Sequence, residues 1–407
     1  MSTLLTNVGR LFTAGQPVLE HADVVIEEGS IAAVGKTGSL PVPPGAEPYD
    51  CLGGLLTAGL IDAHTHPIYP RPRLAEIAQR ASGAPYQQIA AAGGGIAATV
   101  AETRGAPWDE LERGLRTRLE RWLEAGTTTV EAKTGYWLER EGELAAVRLL
   151  RRLADDPRLP SLVVTFLGAH DLPLEFAGER SDFVREVAGW APDARREGAR
   201  FADVFCDAGA FTVAESEHIL GQARTAGLAL RIHADELALT GGTLLAAQLG
   251  AVSADHLLCI GATEIAALAA SSTVATLCPV TAVALGRKPP ARALLDAGVP
   301  LALGSDHNPG TSGTTSMSLV VWLAITELGL SVEEGLAAAT LGGSRSLGVP
   351  DRGQIAPGFL ADLVLWEAEH EGAFAWNPGL HPLQVWRTGR ATSTIPEGLS
   401  RGDPRLR

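Results

Sequence analysis

Residues 59–66 read GLIDAHTH, a short apolar stretch that ends in two histidines one residue apart. On a β-strand, residues i and i+2 point to the same face and lie about 7 Å apart along the backbone. Two imidazoles at this spacing can bind one metal ion, so we predict that His64 and His66 form half of a coordination shell. Because a β/α barrel carries its chemistry at the carboxyl ends of its strands, the stretch also predicts the first strand of such a barrel.

Composition and charge limit the classes of protein to which the chain can belong. Its 407 residues are enough for a barrel and a smaller second domain, and 46% hydrophobic residues indicate a large buried core. The formal net charge of −14, without a basic stretch, argues against nucleic acid as a partner. The N-terminus lacks the features of a signal peptide, and no apolar run approaches the roughly 18 residues of a membrane span. We therefore expect a cytoplasmic protein with no membrane partner.

The two chain ends differ from the middle. Residues 21–36 contain two strand-like runs joined by a Glu-Gly dipeptide, a hairpin signal, and residues 352–368 place a glycine-rich turn before another strand. Strands at both ends predict one composite β-sandwich domain formed by residues 1–58 and 353–407. Two independent flaps are the alternative, but sheets of two or three strands are barely stable alone.

Eight strand candidates alternate with helical stretches in the middle of the chain. They are residues 60–66, 127–134, 163–170, 202–207, 230–235, 251–257, 273–279 and 300–306. Eight such units predict an α/β fold, a closed (β/α)8 TIM barrel, as the catalytic domain over residues 59–352. The gap between the first two strands far exceeds one crossover, so residues 67–110 are expected to form a lid or a substrate loop.

Polar residues that can bind metals lie at the ends of several of these strands. They are His64, His66, His170, His233, His256 and Asp306. Because the carboxyl ends of barrel strands share one rim, these side chains are expected to meet there. Three neutral imidazoles and one carboxylate suit a divalent ion, Zn²⁺ or Fe²⁺.

Plainer alternatives exist for some of these residues. His233 could be a buried core histidine, although the acidic residues of its HADE string favour a site. Asp306 could form an Asx turn in the string SDHNPG. His256 could be a ligand, an electrophile or a core residue, and we favour a catalytic role. His307, the chain neighbour of Asp306, is expected to point away from the site.

Two further features of the sequence bear on metal or phosphate chemistry. In many metal-dependent barrels a carboxylated lysine bridges two metal ions. Lys133 lies on the second predicted strand rather than the fourth, so a mononuclear site is preferred. Residues 93–95 are three glycines before a helix-like run, but they lack the lysine and the spacing of a phosphate-binding P-loop. We expect a flexible loop there.

Several longer strings resemble those of a known family. They are GLIDAHTH, AAGGGIAATV, GTTTVEAKTGY, TFLGAHDLP, DVFCD, IHADE, GAVSADHL and SDHNPGTS, in this order over nearly the whole chain. The set resembles the imidazolonepropionase family of the amidohydrolase superfamily, and residues 352–366 are similar to the returning strand of that superfamily's composite β-domain. The resemblance implies hydrolysis of the ring C–N bond of 4-imidazolone-5-propanoate, a small anionic molecule, to N-formimino-L-glutamate in histidine degradation.

The resemblance also implies roles for individual residues. The implied metal ligands are His64, His66, His233 and Asp306. The implied catalytic residues are Glu236 as acid/base, His256 as the group that polarises the substrate carbonyl, and Asp306. The implied substrate contacts are Arg73, Tyr86, Tyr136, His170, Asn308, Gly310 and Thr311. The family further implies one divalent ion, zinc or iron, and a homodimer.

The chain departs from the family pattern at two places. Residues 67–73 read PIYPRPR, which makes Arg71 a competitor of Arg73 for the substrate carboxylate, and residues 279–290 lack the usual aromatic side chains. A mononuclear deaminase of a purine, pyrimidine or related ring would use much the same ligands and is the alternative within enzymes. A catalytically dead barrel that serves as a scaffold is the alternative from another class, but none of the predicted ligands is missing.

Overall fold

Two sheets of eight strands each organise the described part of the chain. The structure is a computed structural model that describes residues 2–84, 88–89 and 92–392. The strands are β1 (Ser2–Phe12), β2 (Leu19–Glu27), β3 (Ser30–Lys36), β4 (Glu47–Asp50), β5 (Leu55–Ala58), β6 (Leu60–Asp62), β7 (Thr127–Lys133), β8 (Ser161–Ala169), β9 (Phe201–Cys206), β10 (Ala229–Ala234), β11 (Ser253–His256), β12 (Val274–Leu277), β13 (Leu301–Leu303), β14 (Leu363–Trp366), β15 (Pro382–Arg387) and β16 (Arg390–Ala391).

Helices surround the second sheet. The α-helices of the described residues are Leu74–Ala81, Gly95–Gly105, Trp108–Glu124, Arg140–Ala154, Arg180–Gly189, Ala191–Glu197, Val213–Thr225, Gly242–Leu249, Ala262–Ala269, Pro279–Ala284, Ala291–Asp296, Met317–Thr326, Val332–Ala337, Gly343–Ser346 and Ala373–Trp376. A 3-10 turn at Leu174–Phe176 and a π-helical turn at Ala338–Gly342 complete the helical elements. In this part of the chain, no helix is both long and apolar enough to cross a membrane.

The second sheet is the predicted barrel. Its strands β6 to β13 pair in sequence order, and every pair is parallel. Two backbone hydrogen bonds join the end of β6 to the end of β13 and close the barrel. They run from Ala63 N–H to Leu303 O (3.2 Å) and from Asp306 N–H to His64 O (2.9 Å). Strands β7 and β9 are buried along their whole length, as expected for parallel strands covered on both faces. All eight predicted strands are therefore present, and the barrel prediction is confirmed.

The first barrel strand is shorter than the sequence predicted. β6 ends at Asp62, so His64 and His66 follow the strand instead of lying on it. The buried Asp62 carboxylate accepts hydrogen bonds from Ser305 N–H (2.8 Å) and Trp122 Nε1–H (2.9 Å). The first of these bonds joins the end of β6 to the segment that follows β13. The segment stays extended, because Thr65 forms an isolated parallel β-bridge with His307, which follows β13. The two histidine rings therefore remain on one side.

The first sheet combines strands from the two terminal regions of the described residues. Its strand order is β16-β15-β14-β5-β1-β2-β3, with β4 parallel to β1. Because β14 is antiparallel to β5, the ends form one sheet and the alternative of two separate flaps is wrong. The β2–β3 turn has positive φ at Glu28 (50°) and Gly29 (86°), as in the type I′ turns that match the twist of a hairpin.

The long connection between β6 and β7 is partly helical. Among the described residues it carries the helices Leu74–Ala81, Gly95–Gly105 and Trp108–Glu124, and residues 85–87 and 90–91 within it lie outside the described residues. Gly93 and Gly95 have φ of 87° and 69°, left-handed values that suit glycine, so the glycine run is a turn that leads into a helix. The connection lies over the carboxyl ends of the strands, where it contributes to the site.

Candidate metal centre and active site

Four side chains from distant parts of the sequence meet at the carboxyl end of the barrel. His66 Nε2 lies 3.3 Å from His64 Nε2 and 3.2 Å from His233 Nε2. Asp306 Oδ1 lies 3.5 Å from the Nε2 atoms of both His64 and His66. All four residues are buried. The structure thus places all four predicted ligands around one point.

This donor set fits a divalent metal ion. His64 Nδ1 lies 2.6 Å from Asp255 Oδ2, which leaves the His64 Nε2 lone pair directed at its neighbours. Burial lowers the pKa of His64 and of His66 well below the usual histidine range, so both imidazoles are neutral and can act as ligands. Lone pairs and a carboxylate oxygen in contact repel one another unless a cation lies between them. Ligand atoms about 3.4 Å apart are expected around an ion with bonds of about 2.1 Å.

A cluster of buried charges lies directly behind these ligands. Lys133 Nζ is 2.7 Å from both Glu131 Oε1 and Asp203 Oδ2. Arg231 Nη2 is 3.0 Å from Asp255 Oδ2, which also contacts His64. Burial alone would lower the pKa of Lys133, but Asp203 and Glu131 outweigh it and raise that pKa. Lys133 is therefore an ammonium ion, a form that neither reacts with CO₂ nor binds a metal.

Only Lys133 of this cluster was singled out from the sequence. Asp203 Oδ2 lies 3.0 Å from His233 Nδ1, so each of two ligand histidines has a carboxylate behind it. Such partners fix the orientation of a ligand imidazole. A sequence signal exists for Asp203, the one charged residue of the otherwise apolar strand FADVFC, but not for Asp255, whose strand SADH also contains Ser253 and His256.

A cavity opens above the ligands. Five of the predicted substrate contacts line it, namely Arg73, Tyr136, His170, Asn308 and Thr311. Four apolar residues that the sequence did not mark also line it, namely Ile96, Phe205, Leu237 and Leu285. In the sequence these resemble ordinary core residues. The absence of a side chain at Gly310 leaves space for the Arg73 guanidinium, since a Cβ at position 310 would collide with Arg73 Nη2. Tyr86 lies outside the described residues.

Glu236 and His256 face each other in this cavity. Glu236 Oε1 lies 3.6 Å from His256 Nδ1, and within the described ranges neither ring nitrogen of His256 has a hydrogen-bond partner. Burial, reinforced by Asp306 and Asp207, raises the pKa of Glu236 well above the usual glutamate range. Burial lowers the pKa of His256, so its ring is neutral. An acid/base group and a neutral donor therefore share the space beside the ligands.

The backbone that carries these groups is strained. Asp235, His256 and Asp306 have φ of 51°, 75° and 48°, left-handed values that are costly for residues other than glycine. The Asp207 carboxylate accepts hydrogen bonds from Glu236 N–H (2.6 Å) and from the next backbone N–H (2.8 Å), which stabilises one of these turns. Strain of this kind clusters at functional sites.

The turn in SDHNPG belongs to Asn308 and not to Asp306. Asn308 Oδ1 accepts from Gly310 N–H (2.7 Å) and Thr311 N–H (2.8 Å), the pattern of an Asx turn. Asp306 Oδ2 instead accepts from Thr281 Oγ1 (2.5 Å), with its other oxygen at the ligand cluster. His307 is turned away from the cavity, and its ring nitrogens contact Tyr69 Oη (2.8 Å) and a backbone carbonyl.

The structure separates the two competing arginines. The Arg73 side chain is 10% exposed and lines the cavity. The Arg71 side chain is 71% exposed and lies 3.4 Å from Glu102 on the surface. Arg73 is therefore the cation that a bound anion would meet, although two prolines precede it.

Comparison with known proteins agrees with this geometry. A profile of the amidohydrolase family matches residues 55–392. The chain belongs to the amidohydrolase family. This amidohydrolase is similar to proteins named imidazolonepropionase from Cereibacter sphaeroides (42% identical, over 91% of this chain and 94% of that one) and Anaeromyxobacter sp. (41%, over 93% and 92%). The protein of the same name from Bacillus cytotoxicus is 38% identical over 97% of both chains.

Solved structures share the fold of this amidohydrolase at lower identity. A zinc-bound adenosine deaminase from Xanthomonas campestris matches with a TM-score of 0.71 at 20% identity, over 98% of this chain and 94% of that one. The N-isopropylammelide isopropylaminohydrolase from Burkholderia multivorans matches with a TM-score of 0.69 at 19% identity, over 96% and 97%. These two comparisons show a shared barrel and terminal sheet.

Proposed function

We propose that this amidohydrolase is an imidazolonepropionase, which hydrolyses the ring C–N bond of 4-imidazolone-5-propanoate to N-formimino-L-glutamate. One observation carries the proposal beyond the family: the cavity joins Arg73, whose side chain is 10% exposed, to the acid/base pair Glu236 and His256. A substrate with a carboxylate at one end and a hydrolysable ring at the other fits this arrangement of charges. Relatives named imidazolonepropionase that are up to 42% identical over most of the chain support it.

The ligand cluster would hold the metal ion. We propose one zinc or iron ion on His64, His66, His233 and Asp306, because imidazole and carboxylate ligands suit both metals. When bound, such an ion supplies a Lewis acid that makes water nucleophilic near neutral pH. Asp255 and Asp203 contact Nδ1 of His64 and His233, so that the Nε2 atoms of these two imidazoles would be available to hold the ion.

The remaining chemistry belongs to side chains of the cavity. Glu236 accepts the proton of the attacking water and delivers it to the leaving ring nitrogen, a role that a raised pKa suits. His256 donates a hydrogen bond to the oxygen on which negative charge develops, since its ring nitrogens have no other partner among the described residues. Arg73 binds the propionate, because a guanidinium matches a carboxylate with two parallel hydrogen bonds. Tyr136 and His170 form the adjoining wall.

A product assay tests the proposal. The purified protein is incubated with 4-imidazolone-5-propanoate, with and without a metal chelator, and formiminoglutamate is measured. We expect product only without chelator, and none from a His233→Ala variant. Release of ammonia from a purine or pyrimidine, with no formiminoglutamate formed, would instead establish the deaminase. We also propose a homodimer, which light scattering tests as a mass of twice 42.5 kDa.

A further inference from the structure

Glu76 is a buried carboxylate next to the cavity that the proposed mechanism does not use. It belongs to the helix Leu74–Ala81, and the residue is only 6% exposed. Its Oε1 lies 3.0 Å from Arg73 Nε, and its Oε2 accepts a hydrogen bond from Arg80 Nη1 (3.4 Å). Two arginines thus share one carboxylate, and one of the two is the proposed substrate clamp.

The same carboxylate also binds a second helix. Glu76 Oε1 accepts a hydrogen bond from Gly95 N–H (2.8 Å), the first residue of the helix Gly95–Gly105. The first backbone N–H groups of a helix have no partner inside it, so this contact satisfies one of them. A Cβ at Gly94 would lie 2.9 Å from Oε1, which explains why a glycine precedes the helix. Ile96, the next residue, lines the cavity.

Arg73 is consequently held by one hydrogen bond and one ion pair. Nη1 donates to Thr99 Oγ1 (2.6 Å), a buried hydroxyl on the second helix, whereas Nε lies 3.0 Å from Glu76 Oε1 as an ion pair without hydrogen-bond geometry. Nη2 has no hydrogen-bond partner within the described ranges and lies against Gly310, where no side chain blocks it. Arg80, the second arginine that contacts Glu76, donates a hydrogen bond to Gly310 O (2.6 Å).

We infer that Glu76, together with Thr99, is a positioning residue that fixes the Arg73 guanidinium for substrates with a carboxylate. The inference rests on the proposed function for the identity of that carboxylate. Glu76 does not contact the substrate. It occupies the Nε side of Arg73, and Thr99 takes one N–H of Nη1, so that Nη2 and the second N–H of Nη1 remain for the anion. A guanidinium already held in place loses less freedom when it binds, so selectivity for a carboxylate should depend on Glu76.

Two probe ligands isolate this effect from catalysis. They are 3-(imidazol-4-yl)propanoate and 3-(imidazol-4-yl)propan-1-ol, which share the ring and chain length and differ in the carboxylate. The metal-loaded wild type and variants are titrated with each by calorimetry, and the ratio of the two Kd values is the readout. A merely structural loss would weaken both ligands and leave the ratio unchanged.

We expect Glu76→Gln to reduce the preference for the propanoate about 10-fold while the Kd of the alcohol stays the same, since a lost charge-assisted contact has this size. Glu102→Gln is the matched control: it removes the carboxylate beside the exposed Arg71, and we expect the wild-type ratio. If Glu76→Gln does not fold, Thr99→Val serves as the test instead. It removes the acceptor of the Arg73 Nη1 hydrogen bond, and it should likewise reduce the preference for the propanoate over the alcohol.

Three results would overturn the inference. One is a wild-type ratio in Glu76→Gln, another is a wild-type ratio in Thr99→Val when Glu76→Gln is unfolded, and the third is a wild-type protein without preference for the propanoate. The formiminoglutamate assay is independent of these titrations. Failure of the positioning role with normal product formation is therefore distinguishable from failure of the proposed function.

Discussion

Asp255 offers the sharpest test of how the barrel interior prepares the metal site. Its Oδ2 lies 2.6 Å from His64 Nδ1, 3.0 Å from Arg231 Nη2 and 3.7 Å from Lys133 Nζ. The buried cluster contains three carboxylates and two cations, a net charge of −1, and Asp255→Asn makes it neutral. The amide oxygen can still accept from His64, so the change removes charge and largely keeps the orientation of the ring.

We expect Asp255→Asn to weaken metal binding about 10- to 100-fold, the usual effect of losing a carboxylate behind a ligand histidine. That corresponds to about 1.4–2.8 kcal/mol of binding free energy. The metal-free variant should lose only about 2 kcal/mol of unfolding free energy. Removal of one partner of a buried ion pair usually costs about 3–5 kcal/mol, but here the remaining two carboxylates and two cations neutralise one another. Lys133 and Arg231 still face Glu131 and Asp203.

The assay is competition for zinc between the metal-free protein and a chromogenic chelator, with unfolding in urea as the second readout. Asp351→Asn is the control, since it removes a 51% exposed aspartate from its contact with Arg352. Metal affinity within threefold of the wild type would refute the reasoning, because the cluster would then contribute nothing to the site.

Further variants separate the roles of individual side chains. Glu236→Gln should retain the metal and lower kcat about 10²- to 10⁴-fold, measured by metal analysis and formiminoglutamate formation; an unimpaired kcat would remove Glu236 as the base. Arg73→Ala should raise KM about 10- to 100-fold while Arg71→Ala leaves it unchanged, and the reverse would move the clamp to Arg71. Burial raises the pKa of Asp171 to about 6 from 3.8, so the folded protein holds the extra proton between these values and unfolding free energy falls as pH rises through them. Asp171→Asn should therefore stabilise the protein by about 3 kcal/mol at pH 8 and by nothing at pH 3.5, measured by urea unfolding; an equal effect at both pH values would contradict this.

The sequence was sufficient for the barrel because parallel strands are apolar along their length and carry polar residues at their ends. This pattern identified His233 within IHADE and His256 within SADHL. It overestimated the length of the first strand, because the letters LIDAHTH do not reveal that the Asp62 carboxylate accepts a hydrogen bond from Ser305 N–H, just after the last strand. Such a contact joins residues 243 positions apart.

Residues that act through another residue were harder to find. Asp203 is the one polar residue of the apolar strand FADVFC, and Asp255 stands between a serine and a histidine in SADH; ordinary buried hydrogen-bonding residues have the same appearance in a sequence. Glu76 lies in the segment predicted to be a lid or a substrate loop, and only the fold reveals that a second helix begins at its carboxylate. Likewise Asp306 and Asn308 occupy one turn-rich string, and only the observed hydrogen bonds assign the turn to Asn308.

The pairing of β5 with β14 has a consequence for biosynthesis. Leu55 and Leu56 on β5 are fully buried in the finished protein, yet their partner strand begins at Leu363. At ribosomal rates of about 5–20 residues per second, roughly 15–60 s pass before that strand can arrive. During this interval the nascent chain presents an open strand edge that can pair wrongly, so the terminal sheet is the last part to mature. Even the Arg10–Glu371 ion pair, at 2.6 Å, must wait until residue 371 has been synthesised.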